Sequence, residues 1–234
     1  TRLVTSHVGT YGAGLVTIDL SGWDRTATAE PYAGPMSPDF FDAVYVSAGG
    51  DEAAVPWQRA MSRRLIEDWL AVFEPGHHAR ALVVAAGLGD DAAALAELGL
   101  GVVAFDLAPT AVDWARRRHP DAEVDWHVAD LLQPPSDWEA AFDLVVEVFT
   151  IQSIPPERQA DAAAATRSFL APGGTLLGIA IVHDGTIDPD GPPWPLHPDT
   201  IAVLADGLTE RSRHVETIGP VSSCLRLELE RGAP

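Results

Sequence analysis

A glycine-rich turn between an apolar run and a helix-forming segment constrains the fold of this chain more than any other feature. The run 81–86 has the composition of a buried strand, and Gly87 and Gly89 follow it as a tight turn. The next segment, 90–98, is predicted to be a helix that Gly99 is placed to end. A turn of this kind between a parallel strand and a helix lets a ligand approach the backbone closely, so it predicts a ligand site.

Two acidic residues, Asp90 and Asp91, open this predicted helix and restrict the ligand. A dinucleotide places its pyrophosphate at such a helix start, where free N–H groups and the helix dipole favour an anion. Two carboxylates oppose it there, because at about 5 Å and an effective dielectric near 20 each charge pair costs roughly 3 kcal/mol before salt screening. A ligand with a cationic centre, such as S-adenosylmethionine with its ammonium and sulfonium groups, fits better. The alternative is that both acids only complement the helix dipole.

From residue 81 onward the sequence alternates strand and helix, which predicts an α/β fold. Short links between the elements indicate a Rossmann-like parallel sheet with helices on both faces. The last two strand-like segments lack a helix between them and are predicted to pair as an antiparallel C-terminal hairpin at the sheet edge. The predicted strands are 81–86, 101–106, 123–128, 143–149, 174–182, 209–217 and 222–230, and the predicted helices are 90–98, 109–118, 156–170 and 198–206.

The part of the chain before this pattern is predicted to hold an extension and one further helix. The extension, 1–40, contains two strand-like segments, 3–8 and 15–20, that suggest a hairpin and a lid, followed by a proline-containing loop. The remainder, 41–234, is predicted to be a single domain. An amphipathic helix is predicted over 56–73, where bulky apolar residues recur every fourth position: Trp57, Met61, Leu65 and Trp69.

Composition limits the partners and the compartment. The 234 residues carry a net charge of −19 with arginine as the only basic residue besides histidine, so an acidic surface disfavours nucleic acid as a partner. No apolar run is long enough to span a membrane. The single cysteine, Cys224, excludes an intrachain disulfide and favours a cytoplasmic location. The arginine cluster 116–118 is expected on a solvated helix end. Arginine and alanine usage suggests a bacterial source, and the oligomeric state stays open, a homodimer being one option.

Acidic residues lie at the ends of three predicted strands, where an open α/β sheet binds its ligands. Asp106 ends the second strand and can accept both hydroxyls of a ribose, or it caps the next helix. Asp130 follows the third strand and can accept from an adenine amino group, or it forms a turn before Pro134. Glu147 interrupts the apolar fourth strand, so it either faces the ligand or forms a structural ion pair.

The chain resembles the class I S-adenosylmethionine-dependent methyltransferases over residues 78–230. The resemblance rests on the glycine turn, Asp106, Asp130, the apolar fourth strand and the turn Leu170-Ala171-Pro172-Gly173-Gly174. The segment from Phe41 to Gln58, with Pro56-Trp57, resembles the small-molecule branch around thiopurine and thiol methyltransferases. Two residues depart from the family pattern: Val83 stands where an acid is common, and Ala85 replaces the first glycine and narrows the turn.

This resemblance implies a small-molecule methyltransferase that uses S-adenosylmethionine. In the small-molecule branch an aromatic residue covers the cofactor, which assigns that role to Trp57; the alternative is a core position on the helix shared with Met61 and Trp69. The cofactor-binding residues predicted from the strand ends and the resemblance are Trp57, Ala86, Gly87, Leu88, Gly89, Asp91, Asp106, Leu107, Ala129, Asp130, Leu131, Glu147 and Val148.

Catalysis and substrate binding are less constrained by the sequence. A sulfonium cofactor is already activated, so the protein mainly supplies proximity, alignment and a dry pocket, and no metal is expected. The catalytic residue stays unknown, with Glu147, His183 and Asp184 as candidates and a polar exit loop as the alternative for the last two. The candidates for substrate contact are Tyr32, Phe40, Tyr45, Phe149 and Trp194, although Trp194 could instead pack on the core.

Two other functions stay open. Residues 87–92 formally match the dinucleotide pattern, which would make the chain an NAD(P)-dependent oxidoreductase, although Asp90, Asp91, Asp130 and the turn 172–174 count against it. A methyltransferase-like binding module without catalysis is the third interpretation, since Ala85 and the N-terminal hairpin lack a match in the family. The acceptor atom, whether sulfur, nitrogen or oxygen, is not fixed, because substrate residues lie in variable loops.

Overall fold

The computed structural model describes residues 37–58, 60–73, 79–183, 193–217 and 222–233. The predicted hairpin, Tyr32 and Asp184 lie outside these residues, so what was expected of them stays a prediction. For His183 the description covers the backbone alone.

A seven-stranded sheet forms the centre of the described part of the chain. Its spatial order is β3-β2-β1-β4-β5-β7-β6, with β1 to β5 parallel and β7 antiparallel to both of its neighbours. The predicted Rossmann-like sheet with an antiparallel C-terminal pair is therefore confirmed. The strands are β1 (Arg80–Val84), β2 (Gly101–Asp106), β3 (Val124–Val128), β4 (Phe142–Val148), β5 (Leu170–His183), β6 (Leu208–Thr217) and β7 (Ser222–Arg231).

Helices connect the parallel strands as the sequence pattern predicts. The helix expected over 56–73 is shorter than predicted and begins only at Ala60, after Trp57. The helices are α1 (Pro38–Ala48), α2 (Ala60–Leu70), α3 (Asp90–Glu97), α4 (Pro109–Arg118), α5 (Pro156–Ser168) and α6 (Pro198–Ala205).

Helix α1 begins in a stretch that the sequence analysis assigned to a loop. Ser37 caps it by accepting a hydrogen bond from the Phe40 N–H at 3.1 Å, and Pro38 occupies the first helical position. Gly49 ends the helix in the left-handed conformation. The serine-proline pair is thus a start signal, although proline content alone favoured a loop.

The core has two layers, one on each face of the sheet. One face packs against α2, α3 and α4 through residues such as Leu65, Leu95 and Val112. The other face packs against α5 and α6 through residues such as Ala163 and Leu204. A smaller third cluster joins α1 to α4 and to the start of α3: Tyr45, Ala48, Val55, Leu88, Ala108, Ala111 and Trp114.

The turn 171–174 departs from the predicted element boundaries. Helix α5 ends at Ser168 and β5 begins at Leu170, with a register shift against β4 between Phe142 and Leu144. A Cβ on Gly174 would lie 2.8 Å from Leu170 Cδ1 and 2.9 Å from the Asp143 carbonyl oxygen. Only glycine fits this position, so the turn serves strand pairing.

The strand order reverses between β1 and β4, because β2 and β3 extend from one side of β1 and β5 from the far side of β4. Connections on either side of such a point leave a crevice at the carboxyl ends of the strands. Residues that follow β1, β2 and β4 are therefore brought to one place.

Candidate cofactor site

A cavity opens at this reversal point, bounded by the ends of β1, β2 and β4 and covered by α1 and the residues before α2. Three predicted cofactor residues, Gly89, Asp130 and Glu147, do not line it. The others all do: Trp57, Ala86, Gly87, Leu88, Asp91, Asp106, Leu107, Ala129, Leu131 and Val148. The structure thus gathers into one cavity residues that are spread over more than ninety positions of the sequence.

The turn after β1 is built from residues in left-handed backbone conformations. Ala85, Gly87 and Gly89 have φ of 48°, 55° and 83°. The Ala86 N–H donates to the Phe105 carbonyl at 2.7 Å, which ties the turn to β2. Ala85 carries a Cβ at a conformation that costs an L-residue about 1–2 kcal/mol, so the departure from the family glycine is accommodated with strain.

Gly89 begins α3 and faces the core. An added Cβ would overlap the Trp126 ring and lie 3.0 Å from the Ala115 Cβ. The predicted contact of Gly89 with a ligand therefore gives way to a packing role, and Gly87 is the glycine on the cavity wall.

The Asp106 carboxylate is held at the end of β2 by two backbone donors. Its Oδ2 accepts from the Gly87 N–H and its Oδ1 from the Ala108 N–H, both at 2.9 Å. Burial raises the pKa of Asp106, and the N–H groups of Ala108 and Gly87 act in the opposite direction. These N–H groups orient the carboxylate on the cavity wall, so the cavity contains an oriented acceptor for a ligand.

The alternative role of Asp106, capping α4, belongs to another residue. The N–H of Thr110 in the first turn of α4 donates to Asp42 Oδ1 of α1 at 2.7 Å. Ala108 at the N-cap position offers no side-chain acceptor. Helix α1 therefore caps α4, and Asp106 is left to face the cavity.

Aromatic side chains form the cover of the cavity. Trp57 Nε1 donates to the Tyr45 hydroxyl at 2.8 Å, and the Phe41 ring lies edge-on to Trp57 at 5.8 Å. A Cβ on Gly87 would lie 3.2 Å from the Tyr45 hydroxyl oxygen. Burial and then the Asp106 charge raise the pKa of Tyr45, so its hydroxyl is neutral beside the glycine turn.

Two of these aromatic positions differ from the sequence analysis. Trp57 precedes α2, so it is not on a helix seam with Trp69, which packs beneath the sheet with Leu65. Tyr45, predicted to contact the substrate, lines the cavity beside the glycine turn, and its contact with a substrate stays a prediction. Phe40 lies off the cavity wall, edge-on to Phe41 at 5.5 Å.

The two acids at the start of α3 have different environments. Asp91 is half-buried and lines the cavity. Asp90 accepts from Arg118 Nε at 3.0 Å and from Gln58 Nε2 at 2.7 Å. The charge argument against a pyrophosphate therefore rests on Asp91 alone. Arg118, expected in solvent, has a side chain only 22% exposed and also pairs with Glu52.

The segment after β4 supplies a wall that the sequence analysis largely missed. Phe149, a predicted contact, lines the cavity with φ of 59°, and Thr150, Ser153 and Ile154 line it as well. The Thr150 hydroxyl donates to the Val84 carbonyl at 3.3 Å and the Ser153 hydroxyl to the Phe149 carbonyl at 3.0 Å. Their position directly after an apolar strand was the available signal.

Glu147 is fully buried beneath this wall. Its Oε1 accepts from the Thr150 N–H at 2.7 Å and the Ile151 N–H at 3.0 Å, and no ion pair to it occurs among the described residues. Burial raises the pKa of Glu147 to about 7. This geometry is neither of the two predicted roles, contact with the ligand or a structural ion pair. The carboxyl instead fixes the backbone that follows β4.

Two other candidates, Asp130 and Trp194, do not line the cavity. Asp130 Oδ1 accepts from the Leu132 N–H at 2.8 Å, as the turn-forming alternative required. Trp194 is buried, with its N–H donating to the Gln152 carbonyl at 2.7 Å, so it packs on the core. His183 ends β5, where its backbone pairs with Ser222.

Two features are absent from the described residues. No cluster of three or more His, Cys, Asp or Glu side chains there could hold a metal ion. No helix in that part of the chain has the length and apolarity needed to cross a membrane.

The sequence of the strands and turns that build the cavity matches a known family. Residues 81–174 match the profile of the methyltransferase domain. This stretch runs from β1 to the start of β5 and contains the glycine turn and Asp106. Over residues 81–174 the chain is accordingly similar in sequence to a methyltransferase domain. No curated protein sequence matches the chain.

Solved structures share the fold over most of the chain at low sequence identity. The N-methyltransferase NodS from Bradyrhizobium japonicum WM9, in complex with S-adenosylhomocysteine, is 22% identical with a TM-score of 0.59, covering 75% of this chain and 88% of NodS. The 1,6-didemethyltoxoflavin-N1-methyltransferase from Burkholderia thailandensis is 19% identical with a TM-score of 0.57, covering 84% and 91%. The [4+2]-cyclase SpnF is 16% identical with a TM-score of 0.65, covering 84% and 95%. These likenesses support the fold.

Proposed function

We propose that the protein transfers a methyl group from S-adenosylmethionine to a small-molecule acceptor by in-line displacement. The observation that carries the proposal is the cavity in which Gly87, Asp91 and Asp106 meet at the ends of β1 and β2. The methyltransferase-domain match over 81–174 includes all three residues.

Each part of the cavity suits one part of this cofactor. The oriented Asp106 oxygens can accept the two ribose hydroxyls, and charge-assisted bonds of this type contribute about 1.5–3 kcal/mol each. Ala129 and Leu131 offer an apolar surface for adenine. Asp91 gives the cavity a negative charge that favours a cationic ligand. Trp57 and Tyr45 cover the glycine turn, which allows close approach of the ligand to the backbone.

The acceptor would meet the wall that follows β4. Phe149, Thr150, Ser153 and Ile154 offer an aromatic and aliphatic surface with two hydroxyls, and this described part of the wall carries no formal charge. Such a surface suits a small neutral acceptor with a sulfur, nitrogen or oxygen nucleophile. The solved neighbours include an N-methyltransferase and a methyltransferase with bound 1,6-didemethyltoxoflavin.

A narrower form of this proposal is that the protein belongs to the thiopurine-like branch of small-molecule methyltransferases. Pro56-Trp57 supports it, because Trp57 lines the cavity, as an aromatic residue that covers the cofactor would. The single, buried Cys224 fits a reducing cytoplasm.

A second candidate is a protein with this fold and a different activity, or with none. Two observations support this second candidate: the fold similarity to SpnF, a [4+2]-cyclase, and the strained Ala85 in the glycine turn. An NAD(P)-dependent oxidoreductase is disfavoured because Asp91 lies where the pyrophosphate would bind.

Calorimetric titration with S-adenosylhomocysteine and, separately, with NADH tests which cofactor the protein binds. We expect S-adenosylhomocysteine to bind in the micromolar range and NADH to show no binding. Binding of NADH alone would overturn the proposal, and binding of neither would favour the non-catalytic module. A methyl-transfer assay with labelled S-adenosylmethionine and matched thiol, amine and phenol acceptors then identifies the acceptor atom.

A further inference from the structure

The residues before α2 form a separate cover on the cavity. Residues 37–58, called here the cover segment, comprise α1, a short 3-10 turn (Glu52–Ala54) and the end that carries Trp57. The middle of the segment packs on α4 through Tyr45 and Val55. Trp57 lies seven residues after Gly50, the second of two consecutive glycines with positive φ. Its position therefore depends on what holds this end of the segment.

A polar cluster holds that end, and Asp90 is its centre. Asp90 Oδ2 accepts from Gln58 Nε2 at 2.7 Å, directly after Trp57, and Asp90 Oδ1 accepts from Arg118 Nε at 3.0 Å. Arg118 Nη1 pairs with Glu52 at the other side of the segment. His119 Nε2 lies 3.3 Å from Asp90 Oδ1. The first turn of α3 and the last turn of α4 are thus joined to the cover segment on both sides of Trp57.

We propose that the cluster of Glu52, Gln58, Asp90 and Arg118 is a latch that positions Trp57 over the cofactor and slows cofactor release. This inference rests on the proposed function, because the ligand under the cover is S-adenosylmethionine or its product. The four residues act through Trp57 and are positioning residues. None of the latch carboxylates lines the cofactor cavity, whereas Trp57 and Gln58 do.

The charges and burial of the cluster explain why it can act as a latch. The Asp90 and Arg118 side chains are 15% and 22% exposed, so neither is fully screened by water. Arg118 lies between two carboxylates, and its removal leaves Asp90 and Glu52 facing each other without a cation. Because the cover segment must open for a ligand to leave, the loss of the latch is expected to appear in the dissociation rate.

Two variants of different severity test the latch by stopped-flow measurement of S-adenosylhomocysteine dissociation. Arg118→Gln removes the cation, and we expect dissociation to be about tenfold faster with the association rate within threefold. Gln58→Ala removes the hydrogen bond of an exposed amide to the Asp90 carboxylate and leaves the Arg118 cation in place, and we expect dissociation about threefold faster. Arg158→Gln is the matched control, since it breaks the exposed Arg158–Asp161 pair on α5 and should leave both rates unchanged.

A double-mutant cycle separates a latch from a general structural role. If Arg118 acts through Trp57, then Arg118→Gln should change the dissociation rate less than twofold in a Trp57→Ala background. An undiminished effect in that background would overturn the latch, because it would show that Arg118 acts by another route.

The outcomes separate the latch from the proposed function. If the wild-type protein binds S-adenosylhomocysteine and both Gln58→Ala and a folded Arg118→Gln release it at the wild-type rate, the latch is wrong and the cofactor assignment stands. If Arg118→Gln does not fold, an unchanged rate in Gln58→Ala overturns the latch on its own. If the wild-type protein does not bind S-adenosylhomocysteine, both the latch and the proposed function fail.

Discussion

Gly89 and Ala85 show how strongly single backbone positions shape the turn after β1. Both are left-handed, yet only one of them is glycine. The sequence pattern predicts the same role for Gly87 and Gly89. In the structure Gly87 lies next to Tyr45 at the cavity, whereas Gly89 lies against Trp126. Sequence spacing could predict the turn, whereas the neighbour of each glycine is set by an element more than thirty residues away, α1 for Gly87 and β3 for Gly89.

Replacing Gly89 with alanine is expected to destabilise the protein by about 2–4 kcal/mol, measured as the free energy of unfolding in urea. The Cβ would be both left-handed and in overlap with Trp126. Gly99→Ala is the matched control, because Gly99 has φ of 85° but nothing within 4 Å of the added Cβ. We expect Gly99→Ala to cost only about 1–2 kcal/mol. Equal losses in both variants would show that packing on Trp126 contributes nothing.

Burial of Glu147 predicts a pH dependence of stability. Its pKa is raised to about 7 in the folded protein from the ordinary value of 4.5. The folded state therefore holds a proton that the unfolded state has lost, and stability is full below pH 4.5 and falls as the pH rises through 7. The difference in unfolding free energy between wild type and Glu147→Gln should change by roughly 3 kcal/mol across that window. If the difference in unfolding free energy between the two proteins stays constant with pH, this prediction is wrong.

At the scale of elements, the regular part of the fold was predictable and the cover was not. The strands and helices from β1 to β7 follow apolar periodicity and glycine stops, so their order could be predicted. Helix α1 has only the short start signal at Ser37 and Pro38, and its function is set by contacts with α4. The pairing of Asp90 with Arg118 joins residues 28 positions apart, which no local pattern indicates.

The contact between α1 and α4 is expected to contribute to the free energy of unfolding. Asp42 caps α4 through the Thr110 N–H, and α4 has no side-chain cap of its own. Asp42→Ala should lower the free energy of unfolding by about 1 kcal/mol. The exposed Asp121, in the turn after α4, is the control, and Asp121→Ala should have little effect. Equal unfolding free energies for the two variants would show that α1 does not cap α4.

The whole molecule carries a large negative charge that opposes its compact state. A net charge of −19 on 234 residues produces self-repulsion that salt screens. Raising NaCl from about 20 mM to about 200 mM should therefore raise the melting temperature by a few degrees, measured by calorimetry at pH 7. A melting temperature that falls with salt would mean that the surface ion pairs outweigh the repulsion.

The acidic composition and the cavity have the same sign of charge. Asp91 and Asp106 are the charged side chains on its described wall, so the site itself favours a cationic or neutral ligand over a phosphate. Composition could not indicate that Asp90 belongs to a different cluster, because that depends on how α3 and α4 pack.

Asp106, in the cavity at the ends of β1 and β2, is the residue we propose to hold S-adenosylmethionine. The most direct measurement is the dissociation constant for S-adenosylhomocysteine in Asp106→Ala compared with Asp113→Ala, an exposed acid on α4. We predict that Asp106→Ala binds at least tenfold more weakly and that Asp113→Ala binds within twofold of wild type. A folded Asp106→Ala protein with wild-type affinity would contradict the claim.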